Sequence, residues 1–362
     1  MNLLIFNLKT DADDSVLGFT TDWINALAAC CHRVIVITMM AGRLAVAANV
    51  KVYSVGKEKG YSEPRRLLEF YRRLGTVLRE EKINACFAHM MPLFAVLGWP
   101  MLKRRGIPIV LWYAHSHVSL LLRLATVLVD RVVASSPSGF RIDTPKFRSI
   151  GQGIDVERFV PVSQRKSDEQ KLTLLTVGRI SRVKRLEVPL KALCLLSEGI
   201  RQRIELRYVG DPLGDDGFRH AAELRQRVET LDLHDAVHFE PALPFHCVQE
   251  AYQAADIFIN TSDTDSIDKT VLEAMSCGLP IITSNVAFID VLGPELTRDW
   301  LIPKNDAGAL ALRLQSLVEM SSDERRVLGL RLRDIVESDH SLPALAGRLL
   351  NELTGLIRLD DE

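Results

Sequence analysis

Ala255–Asn285, ADIFINTSDTDSIDKTVLEAMSCGLPIITSN, is the stretch that decides the fold. Asp256–Asn260 is a short apolar run of strand length, and Thr261–Asp268 is polar and loop-like. Lys269–Cys277 carries Val271, Leu272 and Met275 on one helical face. Gly278 can take the left-handed backbone that ends a helix, and Pro280 forbids its continuation. Pro280–Thr283 then opens a second apolar strand. Strand, helix and strand in that order make one unit of a parallel sheet, because parallel neighbours need a crossover between them. In such sheets ligands sit beyond the carboxyl ends of the strands, which puts the candidate site on the Thr261–Asp268 loop.

A helix that begins near Asp268 points its unpaired N–H groups and positive dipole end at that loop, which suits a phosphate. Asp265 in the loop and Glu273 one turn into the helix are separated by seven residues. One acid can therefore meet the far end of a ligand while the other grips its near end. A plainer reading makes Asp265 and Asp268 helix-capping residues and Glu273 a solvated helix acid, since acids are common at helix starts. The residues alone leave both open.

Asp265-x7-Glu273, followed by Ala-Met-Ser-Cys-Gly-Leu-Pro, resembles the acidic E-x7-E signature of retaining GT-B glycosyltransferases of the group 1 (family 4) type, which use nucleotide sugars. The family's usual tail, Glu-Ala-Met-Ala-Cys-Gly-Leu-Pro, is long and specific. Two departures stand out. The first acid is Asp rather than Glu, and Ser266–Lys269 replaces a loop that usually contains glycine and an aromatic residue. Both bear on sugar binding more than on nucleotide binding. The resemblance implies an α/β fold with two Rossmann-like domains facing across a cleft and a C-terminal helix crossing back to the first. It gives Glu273 the ribose hydroxyls and Asp265 the sugar hydroxyls, and it places Ser266, Ile267, Lys269, Thr270 and Val271 around the donor.

With 362 residues the chain is long enough for two domains, each with its own core. The expected boundaries are 1–162 for an acceptor-side domain, 163–340 for a nucleotide-sugar-binding domain and 341–362 for the crossover helix, with Pro161–Lys171 as linker. No apolar run has the length to span a bilayer, and MNLLIFNLKTDADD lacks a basic start and a cleavage site, so a cytoplasmic location is expected. The six cysteines include adjacent Cys30 and Cys31 but no Cys-x-x-Cys or metal-like spacing, which reads as reduced thiols. The net charge of −1 hides an asymmetry: residues 1–162 hold 21 Lys+Arg against 13 Asp+Glu, a charge of +8, leaving −9 on residues 163–362. Separate partners for the two halves and mutual attraction between them both explain such a split.

Along the first half, Asn2–Leu8, Arg33–Thr38, Ala85–His89, Ile107–Ala114 and Asp130–Ser135 read as strands, and Phe19–Ala29 as a helix. Gly18 precedes that helix where the resembled family has a glycine-containing loop near the donor phosphate; a simple turn serves equally well. His115 directly follows a strand and matches a family histidine that contacts the donor sugar or its phosphate, although a histidine can merely end a strand. Pro64–Lys82 reads as a basic amphipathic helix with Leu67, Leu68, Tyr71, Leu74, Val77 and Leu78 at helical spacing. It fits a surface helix packed on its sheet, or a helix that touches anionic lipid together with Lys103–Arg105. No stretch interleaves stacking aromatics with basic residues, so nucleic acid is not an expected partner.

The second half opens with the strand Leu172–Val177 and then Gly178-Arg-Ile-Ser-Arg-Val-Lys-Arg185. Gly178 lets the chain turn, and Arg179 and Lys184 match the family's Gly-Arg-Leu-x3-Lys-Gly, whose Arg and Lys hold the diphosphate. Arg185 stands where that pattern has Gly. Ile204–Val209 is the next strand, and Val237–Leu243 occupies the place where the family grips the base through backbone groups. Leu310–Met320 and Ser341–Leu359 read as helices.

The reading is therefore a retaining, metal-independent glycosyltransferase. Arg179, Lys184, Asp265, Glu273 and His115 carry the chemistry, and Gly18, Gly178, Leu243 and the helix start bind the donor. No Asp-x-Asp metal signature stands in the expected place; Asp263-x-Asp265 has that spelling but lies inside the acid motif. The acceptor is expected to be a glycan or lipid-linked glycan of envelope polysaccharide biosynthesis, with an anionic membrane surface as a further contact. A catalytically silent nucleotide-sugar-binding protein and a GT-B-like phosphorylase or epimerase are the alternatives.

Overall fold

The computed structural model describes residues 1–115, 117–162 and 171–357. It divides into two compact units, Met1–Gly153 with Leu342–Glu362, and Ile154–Ser341. The division falls at 153/154 rather than at the expected 162/163, because the intervening residues hydrogen-bond into the second unit. Ile154 N–H donates to His340 O at 2.7 Å, and Arg333 donates to the carbonyls of Val156 (3.2 Å) and Phe159 (2.8 Å). Most of the expected linker, residues 163–170, lies outside the described residues.

The first unit runs β1 (Asn2–Thr10), α1 (Phe19–Ala29), β2 (Arg33–Ala41), β3 (Val50–Ser54), α2 (Glu63–Glu80), β4 (Ala85–His89), α3 (Pro92–Lys103), β5 (Ile109–Trp112), α4 (Leu120–Leu128), β6 (Arg131–Ala134), β7 (Phe147–Ser149). Its strands form one parallel sheet in the order β3-β2-β1-β4-β5-β6-β7. Successive strand residues face opposite sides. Leu4 and Phe6 of β1 join a core with Phe70, Leu74 and Phe94, whereas Leu3 and Ile5 join one with Trp23 and Leu27. Burial on both faces is why β2 is an unbroken apolar run.

The α2 stripe differs from the expected one. Phe70, Leu74, Val77 and Leu78 face the core, while Leu67, Tyr71 and Leu68 are 42%, 38% and 69% exposed. Phe70 sets this rotation: its ring packs 5.5 Å from Phe6 and 4.5 Å from Phe94. Periodicity also misses α3, which is apolar nearly all round and carries Pro100, and the short edge strands β3 and β7.

The second unit continues with β8 (Leu172–Val177), α5 (Glu187–Leu195), α6 (Glu198–Arg201), β9 (Ile204–Val209), α7 (Gly214–Thr230), β10 (Val237–Glu240), α8 (Val248–Gln253), β11 (Ile257–Asn260), α9 (Lys269–Ser276), β12 (Ile281–Thr283), α10 (Ile289–Trp300), α11 (Ala307–Glu319), α12 (Ser322–Asp339). Its parallel sheet has the order β10-β9-β8-β11-β12. Gly278 ends α9 with φ +70°, and Leu279 and Gly278 N–H donate to the carbonyls of Ala274 and Met275, the double closure that left-handed caps provide. The chain then returns to the first unit as α13 (Leu342–Thr354), whose Leu345, Ala346, Leu349 and Leu353 complete the core around Trp23. Residues 358 and 359 of the expected last helix lie outside the described residues.

Each sheet reverses its strand order once, between β1 and β4 in the first unit and between β8 and β11 in the second. Beyond the carboxyl ends of the strands at such a reversal the flanking helices part, and a ligand crevice opens.

Candidate functional site

In the second unit the reversal point is flanked by the loop after β8, Gly178–Leu186, and the loop after β11, Thr261–Asp268. Gly178 has φ +136°, and its carbonyl lies 2.0 Å from where a Cβ on Gly210 would sit, so the turn needs glycine at both places. Arg182–Lys184 form one tight helical turn, and Arg185 follows with φ +49°. That left-handed backbone explains why glycine suits the position; here Arg185 occupies it while its guanidinium pairs with Asp263. The two loops are joined directly. Thr261 Oγ1 donates to the carbonyls of Lys184 (3.0 Å) and Arg185 (3.1 Å), and Asp263 N–H donates to Val183 O (2.8 Å).

Asp268 precedes α9 but makes no capping hydrogen bond, so the capping reading is corrected. Its carboxylate instead accepts from Lys184 Nζ (3.2 Å), Asn260 Nδ2 (2.9 Å), Ser262 Oγ (2.8 Å) and Thr264 Oγ1 (3.1 Å). Burial pushes this carboxyl's pKa up, but the Lys184 charge and the donated hydrogen bonds outweigh it and hold the group below its usual range. Asp265 pairs with Lys304 at 3.3 Å. Each acid of the loop thus faces its own cation: Asp263 with Arg185, Asp265 with Lys304 and Asp268 with Lys184. Glu273 is not a solvated acid either. It is 4% exposed, and Tyr252 Oη donates to it at 2.8 Å.

The remaining candidates are less tightly grouped. Arg179 is exposed and has no ion pair among the described residues. Lys269 opens α9 and lies 5.5 Å from the Phe245 ring centroid. Ser266 accepts from Asn285 Nδ2 through its carbonyl (2.8 Å), Ile267 and Val271 are buried, and the buried Thr270 hydroxyl has no partner among the described residues. Leu243 stands on the loop after β10, two strands away from β8. In the first unit, Gly18 has right-handed helical backbone and heads α1 as an ordinary turn residue, with no left-handed φ. His115 is exposed after β5 and its Nδ1 accepts from His117 N–H at 3.0 Å, which leaves Nε2 to carry the proton. Sequence reasoning missed Lys304 and Tyr252 and took Asp268 only for a cap, since no spacing rule links any of them to its partner.

Two Rossmann-like units, each built on a parallel sheet that reverses its strand order once, are the architecture of the GT-B fold. Residues 171–320 match the family model of glycosyl transferases group 1, residues 19–158 match that of glycosyltransferase family 4, and the chain belongs to this group. It is similar to WcaL of Escherichia coli, whose name refers to colanic acid biosynthesis, with 30% identity over 56% of this chain and 50% of that protein. It is also similar to the D-inositol 3-phosphate glycosyltransferase of Thermobifida fusca, with 25% identity over 56% and 53% of the two chains. The chain spans about half the length of the curated relatives it matches. Among solved structures, Anabaena HepE in complex with UDP superposes with a TM-score of 0.75 at 16% identity, covering 98% of this chain and 100% of that one. WaaG, a glycosyltransferase involved in lipopolysaccharide biosynthesis, superposes with a TM-score of 0.66 at 18% identity, covering 97% and 100%. At these identities the shared property is the fold.

Proposed function

We propose that the protein moves a glycosyl group from a nucleotide diphosphate sugar to an acceptor, with retention of anomeric configuration and without a divalent metal. The observation that supports this reading is that the loop after β8, which carries Arg179 and Lys184, and the loop leading into α9 flank one strand-order reversal and are joined there by the Lys184–Asp268 pair. When the bond between the anomeric carbon and the diphosphate oxygen breaks, the nucleoside diphosphate leaves with the electron pair. The acceptor hydroxyl gives its proton to the departing diphosphate oxygen as its own oxygen bonds the carbon on the same face. Preorganised cations and helix N–H groups stabilise the departing diphosphate, each contribution typically about 3 kcal/mol. Asp263 and Asp265 each face a cation, an arrangement that suits side chains in the part a metal plays elsewhere. In this reading Asp265 takes the sugar hydroxyls, Glu273 the ribose hydroxyls and His115 the donor's sugar or phosphate.

Neighbouring folds crystallised with UDP and UDP-glucose support a nucleotide-sugar donor. The test is a thermal-shift screen of UDP-, GDP- and ADP-sugars, followed by NMR of the product formed with a glycan acceptor. A stabilising donor and a glycoside of unchanged anomeric configuration are expected. Turnover that depends on inorganic phosphate, an epimerised donor, or binding without transfer would each overturn the reading.

The first unit is assigned a glycan or lipid-linked acceptor at an anionic membrane surface. Leu68 of α2 is 69% exposed, and on α4 Leu120 and Val127 are 86% and 71% exposed beside exposed Arg123. Apolar side chains flanked by arginines are the composition of a helix lying in a membrane interface. Arg72 and Arg73 also pair with Glu69 within α2, which lessens the charge of that helix. Among the described residues no helix is long and apolar enough to cross a membrane.

A further inference from the structure

We propose that Asp268 is a positioning residue: it holds Lys184 as half of an ion pair, weakens the grip on the nucleoside diphosphate and so lets that product leave. The inference rests on the reading of Lys184 as a diphosphate-binding cation, and it assigns a role to a carboxylate that lies outside the Asp265–Glu273 acid pair.

The geometry singles Asp268 out among the loop acids. Its Oδ2 receives three hydrogen bonds, from Asn260, Ser262 and Thr264, which leaves Oδ1 turned to Lys184. The donors are themselves braced. Thr283 Oγ1 donates to Asn260 Oδ1 at 3.1 Å, and Asn285 Nδ2 donates to Thr264 Oγ1 at 3.2 Å and to Ser266 O at 2.8 Å. A carboxylate fixed this way cannot turn aside when another anion approaches. The Lys184 side chain is only 18% exposed, and its Cε lies 3.8 Å from where a Cβ on Gly178 would sit, so it rests over the turn after β8.

The two cations of the candidate clamp are therefore unlike. Arg179 is exposed with no ion pair among the described residues, whereas Lys184 carries a fixed counter-charge. A diphosphate that approaches Lys184 also approaches the Asp268 carboxylate, and the like charges repel. Binding loses strength at the place where the anionic leaving group must later be released. Arg179 and the α9 N–H groups keep their full attraction, so the site binds without holding its product.

The test uses the whole chain and measures the affinity and dissociation rate of UDP, GDP and ADP, by calorimetry and by displacement of a fluorescent analogue. Lys184→Gln is expected to weaken the best-bound diphosphate. Asp268→Asn is expected to tighten it roughly tenfold and to slow its release in proportion, since one like charge is removed. The two changes should not add: in the Lys184→Gln background the part of the gain that comes from freeing Lys184 is lost, while the direct repulsion between carboxylate and diphosphate remains to be relieved. Asp268→Gly, which removes the carboxylate altogether, must tighten binding as well.

If no diphosphate binds, or Lys184→Gln leaves affinity unchanged, the clamp reading itself fails and this inference with it. If Lys184→Gln weakens binding while both Asp268 variants leave it unchanged or weaker, only the role of Asp268 is overturned. Failure of both variants to fold cooperatively would make Asp268 a structural acid and overturn the proposal too.

Discussion

Tyr252 Oη donates a 2.8 Å hydrogen bond to Glu273 Oε2, and both residues are buried, at 0% and 4% exposure. The second acid of the motif is therefore held by a tyrosine from α8, 21 residues earlier in the chain. Burial, followed by the Glu273 charge, pushes the Tyr252 hydroxyl well above its usual pKa, so it stays a donor. Removing it with Tyr252→Phe should cost about 1–3 kcal/mol of stability, because a buried acceptor loses a partner. If Glu273 grips the ribose, the donor KM should rise as well. Denaturant unfolding and donor kinetics on the same variant check both; unchanged stability would show that Glu273 does not need the tyrosine.

Arg179→Ala and Lys184→Ala should each lower kcat/KM by roughly tenfold to a thousandfold at sub-saturating donor. The two should differ in stability. Arg179 is exposed, so its loss leaves the fold unchanged. Lys184→Ala strips a mostly buried carboxylate of its cation and should destabilise the chain by about 3 kcal/mol. Near-normal kinetics in both variants would remove these residues from the clamp.

Asp268 also gives the chain an acid limb. Burial raises its carboxyl pKa, but Lys184, Asn260 and Ser262 together hold it below the ordinary value. A lowered carboxyl stabilises the fold fully above its unfolded pKa of about 4, and the contribution is lost as pH falls through the lower folded value. Stability followed by circular dichroism on acidification below about pH 4 should therefore decline less steeply in Asp268→Asn than in the native chain. Parallel curves would contradict the assignment.

Chelation should leave transfer intact. Asp263 and Asp265 face Arg185 and Lys304, and cationic side chains take the part of a metal in the proposed mechanism. Complete loss of activity with EDTA, restored by Mg²⁺ or Mn²⁺, would call for a different site at these two aspartates.

Membrane capture is expected to need anionic lipid and to weaken with salt, since each basic residue near an anionic leaflet contributes about 1 kcal/mol. In liposome sedimentation, Arg65, Arg66, Arg72 and Arg73→Gln should reduce capture. Leu120→Ser with Val127→Ser should reduce it further, because these α4 side chains are exposed. Equal binding to neutral vesicles, or none at all, would point to a water-soluble acceptor.

Local sequence by itself determined the kind and order of many elements. Phe19–Ala29, Ala85–His89, Leu172–Val177 and Ile204–Val209 occupy the same residues in the structure as in the sequence reading. So does the left-handed stop at Gly278. These features depend on neighbours within a turn or a strand, and burial on one or both faces writes them directly into the apolar pattern. Tertiary structure alone decided which charges meet. Lys184 pairs with Asp268 across 84 residues, Arg185 with Asp263 across 78 and Asp265 with Lys304 across 39. It also chose Phe70 over Leu67 for the core face of α2. The physical reason is common to both: an amine or an apolar ring has no built-in preference among distant partners, and the order of strands in the sheet determines which one lies within reach.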